Sequence, residues 1–218
     1  MIAGTGKDLI EIILLSLAVS GSSVLISTCI GVPLGAMLGI KRFPGRRVIM
    51  RLTYMLMSLP PVLAGLLVYL LLSRTGPLGF WEILFTPMAM VCAQVLLVTP
   101  IITGLSASAI AAREKKVLLT ALTMGASNRQ ATWTVIKEAR TGITAAIITG
   151  FGRAFGEVGA VMLVGGNIKH FTRVLTTSIV LETRQGNFEF AITLGLVLLV
   201  LSFLVSSLLL YLDESGLW

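Results

Sequence analysis

Five long apolar runs decide what this chain can become. They are residues 12–40, 52–72, 83–112, 141–168 and 190–212; four hold no charged side chain, and the fourth holds only Arg153 and Glu157. Each reaches the roughly 20 residues, at ~1.5 Å per residue, that cross a hydrocarbon layer about 30 Å thick. Inside lipid the backbone must satisfy its own polar groups, which leaves helices or closed barrels; these runs are too long for barrel strands and do not alternate in polarity. The expectation is an all-α membrane protein with five transmembrane helices in one domain spanning residues 1–218. Charged residues make up 12% of the chain, about half the ~25% of a soluble domain.

The net charge of +7 would raise nucleic-acid binding in a soluble protein, but its placement points to topology. Lys41, Arg42, Arg46, Arg47 and Arg51 follow the first run, and Arg113, Lys115, Lys116, Arg129, Lys137 and Arg140 follow the third. The connections on the other side hold fewer bases, so the positive-inside bias places the first and third loops and the C-terminal tail in the cytoplasm and the N-terminus outside. The first run is read as a retained span rather than a signal peptide, because Asp8 and Glu11 offset Lys7 and the uncharged stretch continues to Ile40. Cys29 and Cys92 both fall inside apolar runs and read as small buried hydrophobes, with no disulfide expected.

Prolines interrupt three runs: Pro33 in the first, Pro60 and Pro61 in the second, Pro87 and Pro100 in the third. Each removes a backbone donor and favours a kink. Such kinks suit helices that line a pathway and also match the ordinary enrichment of proline in membrane helices.

The polar stretch 113–140 is long for a plain connector. Residues 117–124, VLLTALTM, are compatible with a short helix, and Gly125 stands where a left-handed C-cap belongs. Ser127 and Gln130 have the Ser-x-x-Gln spacing of a capping box, so a second helix begins there and carries Trp133, Val135 and Ile136. A helix this short needs tertiary support. Three supports are open: lipid headgroups, the protein's own helices, or a cleft in a soluble partner.

Thr120, Ala121, Leu122, Met124, Gly125, Ala126 and Ser127 resemble the Glu-Ala-Ala-x3-Gly loop of the permease subunits of ABC importers. Ala121 and Gly125 match that motif; Leu118 or Leu119 stands where the family has an acidic residue. GRAFGEVGAVMLVGGNI (152–168) and SLPPVLAG (58–65) resemble segments of the molybdate, tungstate and sulfate permeases, while IKEAR (136–140) and the stretch 173–191 look most like the tungstate branch. The resemblance implies a type I importer permease core, with the 113–140 loop as a coupling helix seated on an ATPase. It also implies an external substrate-binding protein docking on the outer loops 73–82 and 167–189, and import of an oxyanion: tungstate first, molybdate or sulfate as alternatives. A self-contained channel or a membrane scaffold is the alternative from another class.

Arg153 and Glu157 stand four apart within a span, where an ionisable side chain needs a partner, a bundle interior or water. They read as a structural pair; the sharper reading gives Arg153 a place on an oxyanion path, with Glu157 holding its geometry. Gly152 and Gly156 form a small-xxx-small pattern for close helix approach, at a bundle centre or a dimer contact.

No engine is visible. Gly4-Thr5-Gly6-Lys7 lacks the glycine spacing of a phosphate loop, and Asp8 replaces its Ser/Thr. No metal or nucleophile motif occurs, and His170 reads as an exposed loop residue. The chain is therefore expected to be no enzyme and to bind no cofactor, with ATP and Mg held by a partner ATPase. Five helices are few for a whole pathway, so a homodimer with two ATPase subunits is expected. The resemblance also implies that the membrane is the plasma membrane of a prokaryote.

Overall fold

The structure, a computed structural model, describes residues 2–214. Its elements in order are α1 (Ile2–Ile40), α2 (Arg46–Met57), α3 (Pro61–Leu72), a 3-10 turn (Gly79–Trp81), α4 (Pro87–Thr123), α5 (Asn128–Glu138), α6 (Arg140–Phe155), α7 (Gly159–Gly165), α8 (Leu175–Arg184) and α9 (Phe188–Glu214). Every element among the described residues is helical. Residue 1 and the tail beyond Glu214 lie outside the described residues.

Helix α4 is the hub. It packs on α1, α2, α3, α5, α6 and α7, and 61% of its apolar window is buried, against 6% for α9. The α1–α4 seam is built on glycine. A β-carbon on Gly35 would sit 2.8 Å from Ser106 Cβ and 2.9 Å from the Thr103 carbonyl, and one on Gly39 would meet Ile110 at 2.9 Å. With Gly31 facing Ile102, these residues recur every four positions and let two parallel helices touch backbone to side chain. Hydroxyls line the same seam: Ser23 Oγ donates to Gln94 Oε1 at 2.7 Å and Thr99 Oγ1 to Ser27 Oγ at 3.1 Å. Lipid supplies no hydrophobic drive between helices, so such packing and hydrogen bonds hold the seam.

Among the described residues three single helices are candidate spans, Gly6–Ile40, Pro87–Thr123 and Phe188–Asp213, and two further spans exist if each bent pair counts as one. The run 52–72 is not a single helix. Pro60 stands extended at φ −61°, ψ 128°, Pro61 starts α3, and α2 meets α3 at 102°. Twelve-residue α3 reaches only ~18 Å by itself. The run 141–168 is likewise broken, with α6 and α7 bent by 55°.

Two further expectations are corrected. Residues 117–123 are not a separate helix, because nothing between Ala112 and Thr123 breaks α4. The stretch 167–189 is not a plain outer loop. Its Leu175, Thr176, Thr177 and Ser178 are buried in α8, and the hydroxyls are satisfied on backbone carbonyls: Thr176 on Glu157 at 3.0 Å and Ser178 on Val174 at 2.8 Å. Cys29 is exposed on the surface of the single chain, not buried, while Cys92 is half-buried; both are free thiols.

Candidate functional site

Two places gather the residues singled out from sequence. The first is the hairpin at the end of α4. There the Ala126 amide donates to the Ala121 carbonyl and the Gly125 amide to the Leu122 carbonyl, both at 3.0 Å, the bond pair of a Schellman C-cap. Gly125 takes φ +88° with nothing within 4 Å of where a β-carbon would stand. Its glycine is therefore required by backbone conformation and not by space.

The chain turns at once into α5 through the expected capping box. Gln130 N–H donates to Ser127 Oγ at 3.4 Å, and Ser127 N–H donates to Gln130 Oε1 at 2.8 Å. Ala131, Val135 and Ala139, four apart, form the buried face of this segment; Val135 and Ala139 pack with Ile110, Ala36, Ile40, Val117, Leu118 and Ile143. Of the three open supports, the protein's own helices supply this one. Ion pairs link the same region, Arg42 to Glu114 and Arg113 to Glu138, each at 3.9 Å.

The tip itself has no cover among the described residues. Met124 is 81% exposed and Trp133 68%, with Leu119 and Leu122 also exposed. Thr120, Ala121, Ala126 and Ser127 stand between them, with Thr120 Oγ1 turned back on the Lys116 carbonyl at 3.0 Å. An apolar tip thus stands on the two-helix base formed by α4 and α5.

The second place is the break between α6 and α7. Arg153 and Glu157 do not pair, because α6 ends at Phe155 and Gly156 carries the chain off the helical path. Helix geometry no longer holds the two side chains on one face. Glu157 is 6% exposed, and its Oε1 accepts the Ala160 amide at 3.1 Å, so it tethers the start of α7. The Arg153 Nε is buried without a hydrogen-bond partner.

The carbonyls released by the break are taken up by neighbours. Gln94 Nε2 donates to the Ala154 carbonyl at 2.9 Å, which also accepts the Glu157 amide at 3.2 Å, and Thr176 Oγ1 donates to the Glu157 carbonyl; nearby, at the start of α8, Leu175 N–H donates to Ser16 Oγ at 2.8 Å. Irregular backbone at membrane depth survives when protein satisfies it in this way. A small cavity of about 10 Å³ lies among Ser16, Ser20, Gln94, Glu157 and Thr176.

Gly152 faces open space, and a β-carbon on Gly156 would meet only the Gly152 carbonyl, at 3.3 Å. Within the chain, close helix approach is made elsewhere, by Gly31, Gly35 and Gly39 and by Gly65 against Ala160. Sequence reasoning passed over those glycines, although their four-residue spacing on α1 was the available signal. It also passed over Gln94, a lone amide in an apolar run.

The bundle hub α4 thus runs unbroken into an apolar tip, beside a broken helix pair with buried polar groups. The chain belongs to the family described as binding-protein-dependent transport system inner membrane component, matched over residues 31–215. It is 43% identical over 203 residues to the tungstate uptake system permease protein TupB of Peptoclostridium acidaminophilum, covering 93% of this chain and 89% of the relative. It is 40% identical to a protein of Haloferax volcanii named "probable anion ABC transporter permease protein", covering 92% of this chain and 88% of that one. The sulfate transport system permease protein CysW of Escherichia coli is 27% identical, with 92% and 73% covered. The protein is thus an ABC-type permease subunit of the inner membrane, working with an ATPase and a substrate-binding protein. That membership displaces the channel and scaffold alternatives.

Proposed function

We propose that this chain is the permease of a tungstate importer. The observation that carries the reading is the 43% identity, along 93% of the chain, to a tungstate uptake permease, against 27% to the sulfate permease. Two copies form a homodimer around a central path. Each copy contributes five spans in a single domain, two of them broken, with the N-terminus outside and the C-terminus in the cytoplasm.

The hairpin tip is the coupling helix. Thr120 to Ser127, with Met124 outermost, sit in a cleft of an ATPase subunit, one per permease copy, and that subunit holds ATP and Mg. Closure of the two ATPases moves the tips, and α4 carries the movement into the bundle. Arg153 stands beside the path with an uncommitted guanidinium, where an oxyanion passing the α6–α7 break meets positive potential. Gly152 and Gly156, open within one chain, face the second copy. The binding protein delivers the anion to the outer side.

Elemental mass spectrometry of cells with and without the gene, at trace metal supply and with sulfate in excess, tests the reading. Loss of tungsten accumulation with molybdenum little changed supports it. Loss of molybdenum alone would reassign the anion, and unchanged uptake of both metals would overturn the tungstate assignment.

A further inference from the structure

We infer that Asp8, Glu11 and His170 form a site for a divalent transition-metal ion of the zinc class, at the end of α1 remote from the hairpin. Asp8 and Glu11 stand three apart on α1 and so share a face. His170 is the one histidine of the chain and arrives from the connection between α7 and α8. Its Nδ1 lies 2.7 Å from Glu11 Oε2 across 159 positions of sequence. One ligand atom from each of the three residues falls within 4.8 Å of the others. A zinc-class ion holds imidazole nitrogen and carboxylate oxygen at ~2.0–2.2 Å, which sets neighbouring ligand atoms about 3–4 Å apart. Side-chain rotation alone closes that gap, since Glu11 and His170 are both exposed. One imidazole with two carboxylates is a borderline N/O set, suited to zinc or cobalt more than to calcium or magnesium, which prefer oxygen alone.

The competing explanation is a salt-bridged clasp, with Lys169 Nζ 3.1 Å from Asp8 Oδ2 and His170 on Glu11. The adjoining cavity argues for an ion. It measures about 570 Å³ and is lined by Asp8, Glu11 and Glu182 against Lys169 and Arg173. Carboxylates outnumber permanent cations there, so its potential draws a cation and disfavours the transported oxyanion. The cavity also gives water access to the remaining coordination positions. Lys169 holds the place of the metal's charge and, being 56% exposed, can swing into water when the ion enters. The bound ion would tie α1 to the segment feeding α8, whichever anion the transporter carries.

The test uses the full chain with its ATPase, purified through a tag free of histidine and in a Cys29→Ser background that removes the exposed thiol. Zn²⁺ alone is titrated calorimetrically, and Co²⁺ absorption reports the ligand set. The expected result is one saturable Zn²⁺ per permease chain and a nitrogen/oxygen cobalt spectrum. Binding should be lost in His170→Ala and weakened roughly tenfold or more in Glu11→Gln, while Lys169→Ala tightens it. ATPase association, unaffected by these variants, reports that the fold is intact. No saturable binding by the intact parent, or binding that persists unchanged in His170→Ala, would overturn the site. A lower unfolding temperature in His170→Ala without any Zn²⁺ binding by the parent would establish the clasp instead.

Discussion

Gln94 Nε2 donates to the carbonyl oxygen of Ala154 across 2.9 Å, joining the hub helix to the end of α6. That carbonyl belongs to the last turn of α6, where it also accepts the Glu157 amide at 3.2 Å. Gln94 thus adds a tie between the hub helix and the bent end of α6. Gln94→Leu removes this bond while the Glu157 amide keeps the carbonyl paired, at a cost of about 0.5–1.5 kcal/mol. A lower unfolding temperature of the purified complex is expected, and an unchanged one would show that the break does not depend on this bond.

Glu157 separates charge from hydrogen bonding. Glu157→Gln keeps an oxygen for the Ala160 amide and should fold as the parent does, whereas Glu157→Leu removes the acceptor and should destabilise by roughly 1–3 kcal/mol. Comparing unfolding temperature with anion uptake for the two variants distinguishes a tether from a charged element of the path. Parent-like uptake in Glu157→Gln would assign the residue to the fold alone.

At the turn, Gly125 needs φ +88°, which a β-branched residue adopts only under strain of about 1–3 kcal/mol. Gly125→Val should therefore reduce co-purification of the ATPase and uptake together. Gly125→Asn should retain most of both, because asparagine tolerates the left-handed region. Equal loss in both variants would mean that glycine is needed for contact with the partner rather than for conformation.

Met124 and Trp133 are the most exposed apolar groups of the hairpin, and the fold does not use their burial. Met124→Asp should abolish ATPase co-purification while leaving the unfolding temperature of the isolated permease within about 0.5 kcal/mol of the parent, as surface changes generally do. Retained co-purification would remove the tip from the interface.

On α1, Gly35→Val places carbon within 2.8–2.9 Å of α4 atoms and should prevent stable accumulation in the membrane. A β-carbon at Gly152 meets nothing among the described residues, so Gly152→Val should accumulate normally, its effect confined to cross-linking between copies. Equal accumulation of the two variants would contradict the α1–α4 seam.

Short-range chemistry was legible in the sequence; long-range partnership was not. The Ser127–Gln130 box and the Gly125 cap were readable because each depends on atoms a few residues apart. The continuity of α4 was hidden by Arg113, Lys115 and Lys116, which mark where the chain leaves the lipid but are good helix formers. A membrane boundary is not a helix boundary. The Arg153–Glu157 spacing misled for the opposite reason: four residues imply one face only while the helix lasts, and Gly156 ends it. Burial of Thr176, Thr177 and Ser178 was hidden because hydroxyls that bond to nearby backbone carbonyls can enter a core that their polarity appears to forbid.

The unbroken α4 has a consequence for how this chain tolerates change in length. Its 37 residues span roughly 55 Å at 1.5 Å each, from the packed interior around Met90 to the tip at Met124. Adding one residue between Ile110 and Leu119 would advance the tip by ~1.5 Å and turn it by about 100° about the helix axis. Met124 would then point away from its present direction, and the face that seats Val135 would lose its phase. A single insertion in the connection at 74–78, which feeds no long helix rigidly, carries no such rotation. The length of α4 is consequently a fixed quantity, and natural variation in this permease should accumulate as substitution within that helix and as indels outside it.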